Sequence, residues 1–321
     1  MMPRLKVLLL SLATLTAFAY AENANTARPG TLNYIEGQVT TQDHQLTSSS
    51  VGNTELQPGQ SLSTENGKAE LLLTPGVFLR LGGNTTVQMV SPGLTKTEVE
   101  LVKGRADVEI DQLYKQNTLL VDMPNGQAQL LKKGLYSFDT DGSIVRVFDG
   151  EADVYPGADL RADVKPTEVK GGHQLALAGE PAKAQHFDKN EAKDDLYNWS
   201  SLRSQYLGEA NVNIAEEYAG YPVFYPGWYW AGGPYGYTWL PGDGLFWSPF
   251  GYGFYSPYYI RGGGFIYPYR GGYGYRGGYY HGGYYHGDGH SSFAGGGFHA
   301  GASGSGFHGS GGFHGGGGGH R

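Results

Sequence analysis

From Thr31 to Leu177, short runs in which apolar and polar residues alternate are followed again and again by a turn that carries glycine. A period of two is the signature of a strand with one buried face, because successive side chains leave a strand on opposite sides. Thr97-Glu98-Val99-Glu100-Leu101-Val102 and Arg105-Ala106-Asp107-Val108-Glu109-Ile110 show it most clearly. Pro75-Gly76, Pro92-Gly93, Asn125-Gly126 and Asp141-Gly142 mark the turns. Asp141-Gly142, between the runs Tyr136-Ser137-Phe138 and Ile144-Val145-Arg146-Val147, is the strongest hairpin signal. Many short strands with few helical stretches predict an all-β domain over residues 30–180, a sandwich or a closed roll.

What precedes this region reads as an export address. Arg4 and Lys6 form a basic start, Val7 to Leu15 an apolar run, and Ala19-Tyr20-Ala21 a cleavage site. Residues 1–21 are therefore expected to be a signal peptide cut after Ala21. The apolar run is shorter than the ~20 residues a spanning helix needs. No later segment is apolar enough to span, so the mature chain is expected in the periplasm or outside the cell, without a transmembrane span. The chain has no cysteine. Disulfides, thiol catalysis, zinc–thiolate sites and a lipid-modified cysteine are all excluded by that. A net charge of −7 gives no support for a nucleic-acid surface.

Three further segments follow. Residues 188–219 are expected to be an amphipathic helix: Asp188 and Glu191 resemble a capping box, and Leu196, Trp199, Tyr206, Ala210 and Ile214 recur at helical spacing. Residues 220–260 are dense in Tyr, Trp, Phe, Pro and Gly. Their rings suit either stacking on sugar faces or a hydrophobic cluster of Gly-turned ribbons against the β domain. The cluster is the preferred reading, since that many exposed rings exceed what monomers normally show. Residues 261–321 are a low-complexity stretch of Gly, Tyr and His, expected to be disordered. Tyr and Arg separated by Gly suit weak multivalent self-association through cation–π contacts. His281, His286, His290, His299, His308, His314 and His320 are the candidate metal ligands, for weak pH-dependent uptake of Zn²⁺, Ni²⁺ or Cu²⁺.

The search for catalytic chemistry turns up little. Asp107 with Glu109, and Glu98 with Glu100, are spaced as paired acids on one strand face, which reads more simply as a solvated face. Neither a G-x-S-x-G nucleophile elbow nor a phosphate loop occurs, and no HExxH metal motif. The Tyr269–Tyr280 stretch, YRGGYGYRGGYY, has the look of an RGG segment, but its positive charge is too thin to favour nucleic acid. A non-enzymatic protein without cofactor is expected.

Residues 31–177 also resemble the periplasmic domain of FecR-type proteins. The resemblance rests on TLNYIEGQV from Thr31, then Leu56, Gly59, Leu62, Thr64, Gly67, Ala69, Leu71, Pro75-Gly76, Leu79, Arg80 and Leu81 in that family's order. It continues through Glu100–Glu109, Val145–Val154 and the closing VKGGHQLAL. The aromatic segment is similar to a region that follows such domains in exported proteins of soil bacteria, chiefly acidobacteria. The resemblance implies a β-rich domain with a role in envelope signalling or scaffolding. Founding members relay an iron-transport signal to a sigma factor through a cytoplasmic helical region and one span. Here a signal peptide stands in that place. The leading expectation is an envelope binding or scaffolding module whose partner is an envelope protein or a polysaccharide. The alternatives are a periplasmic regulator of a sigma-factor pathway and metal sequestration by the histidines.

Overall fold

The alternating region folds into the strands its period dictates. The computed structural model describes residues 27–271, apart from 43, 158–164, 179–182 and 268. The export segment and the histidine-rich segment lie outside the described residues. The strands are Leu32–Glu36 (β1), Val39–Thr41 (β2), His44–Gln45 (β3), Ser61–Thr64 (β4), Lys68–Leu72 (β5), Val77–Leu81 (β6) and Thr86–Pro92 (β7). Next come Lys96–Lys103 (β8), Arg105–Ile110 (β9), Thr118–Met123 (β10), Gly126–Leu130 (β11), Gly134–Asp139 (β12), Ile144–Asp149 (β13) and Glu151–Pro156 (β14). Thr167–Lys170 (β15), His173–Ala176 (β16) and Gln185–His186 (β17) complete the large sheets. A helix, Asp195–Ala219 (α1), leads to Gly227–Trp230 (β18), Tyr237–Leu240 (β19), Leu245–Trp247 (β20), Gly253–Tyr255 (β21) and the short helix Pro257–Arg261 (α2).

Two sheets form a sandwich. One has eight strands in the order β1-β5-β6-β9-β12-β13-β16-β17, and the other has nine in the order β15-β14-β11-β10-β8-β7-β4-β2-β3. Pairing within them is antiparallel except between β8 and β10. Their inner faces meet in one core, with Leu71, Leu79, Val108 and Phe138 from the first sheet against Leu62, Val87, Val99, Val121 and Val154 from the second. The Asp141-Gly142 turn joins β12 to β13 as its sequence predicts. The Asp139 carboxylate accepts the N–H groups of Asp141 and Gly142 at 3.0 and 3.1 Å.

The outer faces of the sheets differ. On the nine-stranded sheet, Glu98 and Glu100 are half-exposed, as alternation with a wet face requires. On the eight-stranded sheet, β5, β6 and β9 are covered on both sides, and β6 is buried at every position. The cover is α1 and the aromatic ribbons.

Helix α1 starts later than the Asp188–Glu191 pair suggests. Asp194 is its N-cap, accepting the Tyr197 N–H at 2.8 Å. Arg105 on β9 pins this end by pairing with both Asp194 and Asp195. Asp188 closes a separate turn, accepting from the Asn190 and Glu191 N–H groups. The buried stripe is also rotated from the apolar one expected. Leu196, Trp199 and Ala210 are buried, but Tyr206 is exposed and Ile214 only half-buried. Ser200, Arg203, Ser204 and Asn211 take the inward positions.

The aromatic segment forms two ribbons, β18 with β19 and β20 with β21. Trp239 is fully buried, 5.1 Å from Phe246 and 5.7 Å from Phe254 between ring centroids. Phe78 of the sheet meets Trp228 edge-on at 5.1 Å, and Leu72 and Leu207 close the cluster. Two asparagines substitute for missing strand neighbours. Asn33 donates to the Tyr237 carbonyl at 3.0 Å and accepts its N–H at 2.6 Å. Asn211 donates to the Trp239 and Tyr255 carbonyls and accepts the Tyr255 N–H. Gly236, at φ +80°, permits the first of these contacts, since a Cβ there would lie 2.3 Å from the Asn33 carbonyl oxygen. Packing continues past residue 260, with Ile266 buried beside Tyr255 and Ala215.

Ribbons and sandwich share this interior, so they should unfold together. Trp239→Ala is expected to cost about 3–5 kcal/mol, as deletion of a buried Trp does elsewhere. In denaturant melts followed by near- and far-UV circular dichroism, the whole transition should shift as one. An early ribbon transition with an unmoved sandwich transition would contradict the shared core.

Candidate functional site

The densest polar chemistry among the described residues lies between the eight-stranded sheet and α1. Register sets it up. Glu70 on β5 pairs with Arg80 on β6, and Arg80 with Asp107 on β9, while Glu109 sits one outward position further along β9. All four side chains leave the sheet on the face away from the sandwich core. From above, α1 lowers Ser200, Arg203 and Ser204 onto them.

The contacts form one connected cluster. Arg80 Nε donates to Glu70 Oε2 at 2.7 Å, and Arg80 Nη1 donates to Glu109 Oε2. Arg203 Nη2 donates to Glu70 Oε1 at 2.9 Å and to the Tyr235 carbonyl at 2.8 Å. Asn33 Nδ2 also donates to Glu70 Oε1, at 2.8 Å. Ser204 donates to Glu109 Oε1 at 2.7 Å, and Ser200 to Asp107 Oδ2 at 2.9 Å. The rest of the Arg203 guanidinium lies over the Tyr34 ring, 4.0 Å from its centroid. A delocalised cation stacks on a ring face in this way at little desolvation cost. Arg80, Glu70 and Glu109 are 0% exposed, and Arg203 and Asp107 are 2% exposed.

Two guanidiniums facing two glutamates make a neutral set, and the aspartates are in excess of it. Burial opposes ionisation of Glu70, but Arg203 and Arg80 overcome this and hold its pKa below the ordinary value. Burial pushes Asp107 up to about 7, against the hydrogen bonds from Ser200 and Ser137. Asp111, just past the end of β9, is driven well above the usual range by burial and by the neighbouring Glu109. Excess buried carboxyls thus favour the neutral form, which spares the interior an uncompensated charge.

This corrects one sequence expectation. Asp107 and Glu109 alternate as a solvated face would, yet both are buried. Alternation identifies two faces of a strand, but a helix 90 residues further along the chain decides which faces meet water. A signal was present in Ser200, Arg203, Ser204 and Asn211, a polar stripe at helical spacing that matches the acids of β5 and β9. The seven candidate metal ligands from His281 to His320 fall outside the described residues. Among the described residues no group of three or more metal-capable side chains gathers. His173 and His186 face each other across β16 and β17, with ring centroids 3.9 Å apart. No helix among the described residues is long and apolar enough to cross a membrane.

Arg80 is the hub of the cluster. Arg80→Met should cost about 3–5 kcal/mol in urea unfolding at neutral pH, because Glu70 and Glu109 would lose their shared cation. A loss under about 1 kcal/mol would show that the cluster does not hold the interface. Asp107 has the opposite sign. A pKa raised on folding means that stability is full below the unfolded value and falls as pH rises toward the folded one. Asp107→Asn should therefore match the parent near pH 4, exceed it progressively up to about pH 7, and keep a constant advantage above. A pH-independent gap, or a parent more stable at pH 8, would contradict this.

The family model described as "FecR protein" matches residues 60–153, from the start of β4 into β14. The match is narrower than Thr31–Leu177. It takes in Glu70, Arg80, Asp107 and Glu109 but not α1, so the sheet half of the cluster lies inside the matched stretch and the helix half outside it. No curated protein matches the chain. Two solved structures of a "putative anti-sigma factor" from Parabacteroides distasonis ATCC 8503 are similar at 12% identity and a TM-score of 0.34. Each alignment covers 41% of this chain, and 61% and 62% of the respective solved chains.

Proposed function

We propose that this protein is a non-enzymatic binding and scaffolding module of the cell envelope, built on a FecR domain. The observation that carries the reading is the division of labour between its two layers. Of the sheet's buried ionisable groups, Glu70, Asp107 and Glu109 each accept a hydrogen bond from α1, which fastens one layer to the other, and Arg80 ties Glu70 to Glu109 within the sheet. The ribbon layer held in place by this arrangement presents rings to solvent: Tyr221, Tyr225, Trp230, Tyr258, Phe265 and Tyr269 are all exposed. Aromatic side chains offer large rigid contact area at low entropy cost, which suits recognition rather than turnover. The partner is an envelope protein or a polysaccharide.

A second reading is a periplasmic regulator of a sigma-factor pathway, and the FecR match favours it. In that case the same surface would contact a signalling partner. Metal uptake by His281 to His320 would be an addition to either reading.

Fractionation of the native cell with in situ crosslinking tests the proposal. The mature chain, starting at Glu22, is expected in the periplasmic or secreted fraction, joined to an envelope component. Crosslinks to a transporter's signalling domain or to a membrane-bound sigma regulator would favour the second reading. Recovery from the cytosol with Met1 to Ala21 intact would overturn both.

A further inference from the structure

A groove of about 210 Å³ runs between the outer side of α1 and the second ribbon. One wall is a helical stripe, Gln205, Glu209 and Asn213, spaced four residues apart. At 1.5 Å rise per residue this stripe is about 12 Å long. The other wall is lined by Tyr252, Tyr255 and Tyr267, of which Tyr255 is fully buried and the other two half-buried. Gly208 and Gly253 line the floor, and a Cβ on Gly208 would stand 3.2 Å from the Gly253 carbonyl oxygen. A side chain at 208 would press on the ribbon, on this carbonyl and on Tyr252 Cβ at 3.3 Å.

The polar groups of the groove are already ordered. Gln205 Nε2 donates to Glu209 Oε1 at 3.0 Å, and the Tyr252 hydroxyl reaches Gln205 Oε1 at 3.4 Å. On the facing wall, the Tyr255 hydroxyl donates to the Tyr267 carbonyl at 2.7 Å and accepts the Tyr267 N–H at 2.6 Å. Further rings adjoin those of the lining. Tyr252 meets the exposed Tyr269 edge-on at 5.6 Å, while Tyr267 neighbours Trp247 at 6.2 Å and the exposed Phe265 at 6.4 Å.

We propose that this groove binds a neutral saccharide, a segment of an envelope polysaccharide, with amide and carboxylate groups of α1 hydrogen-bonding its hydroxyls and the half-buried Tyr252 and Tyr267 packing on its apolar faces. This deepens the binding-module reading and rests on it. Three features select the ligand class. The volume lies below the ~300 Å³ at which pockets for drug-sized ligands begin, so it suits a single sugar ring at a time. Planar donor–acceptor side chains across from half-buried tyrosines match a ring that is polar at its rim and apolar on its faces. The lining holds Glu209 and no Lys, Arg or His, which disfavours phosphorylated or uronic ligands. The rings that adjoin the lining, Tyr269 beside Tyr252 and Trp247 beside Tyr267, fit a chain of sugars rather than an isolated one.

The test is isothermal titration of the mature full-length protein with cellohexaose, maltohexaose and chitohexaose, with a proline-rich decapeptide as the protein-type competitor. Saturable binding of at least one hexasaccharide is expected. Asn213→Ala, at an exposed helix position, and Tyr252→Ala should each weaken it at least about tenfold, as truncating a contact residue at a binding centre does. Glu209→Gln keeps the hydrogen-bonding shape and should hold affinity within about threefold, since the ligand is uncharged. Unchanged melting of Asn213→Ala would separate lost contact from lost fold. Three outcomes would overturn the proposal: no hexasaccharide binding up to about 10 mM, binding indifferent to Asn213 and Tyr252, or binding of the peptide alone at these residues. Crosslinking to an envelope protein in the cell would survive any of these, so the broader reading can stand or fall separately.

Discussion

The cluster of Glu70, Arg80, Glu109 and Arg203 is the constraint from which the rest of the molecule follows. A two-sheet sandwich needs only its inner faces covered, and its outer faces usually meet water. Here one outer face carries ions, and those ions are buried. That arrangement is tolerable only if each charge finds its opposite and the remaining lone pairs find donors. Helix α1 supplies Arg203, Ser200 and Ser204 at the required places. Once the helix is fixed, the same buried face one turn beyond Arg203 and the strip of sheet beside it offer Leu207, Leu72 and Phe78 to the ribbons.

Polarity at this interface gives it a register that apolar packing would leave open. Arg203 bridges Glu70 on the sheet and the Tyr235 carbonyl of the ribbon segment, so one side chain sets three layers relative to each other. Asn33 and Asn211 do the same for backbone edges, each pairing with a ribbon strand as another strand would. A buried polar group without its partner costs more than the hydrogen bond it makes. A slip of the helix by one turn would strand several of them at once.

Much of the sandwich was legible because β-structure writes itself locally. Alternation through β8 and β9, and the turn at Asp141-Gly142, depend on neighbours in sequence. The covered outer face was not legible, because Asp107 and Glu109 look the same whether water or Arg80 lies above them. The helix start moved from Asp188 to Asp194 for a related reason. Both aspartates can cap, and the choice between them is made by Arg105 on a distant strand. The apolar stripe containing Tyr206 and Ile214 misled because the inward face of α1 is set by ion pairing. The groove between α1 and the second ribbon was illegible for the same reason, since its walls are joined only by tertiary contact.

The ionic interface makes helix, ribbons and eight-stranded sheet one cooperative body. Native-state hydrogen exchange reads this directly, residue by residue. Amides in the middle of α1, around Arg203 to Asn211, should exchange with the same free energy and denaturant dependence as those of β6 and β9. If the α1 amides exchange through a separate opening several kcal/mol below that of the strands, the helix is an appendage and the account fails.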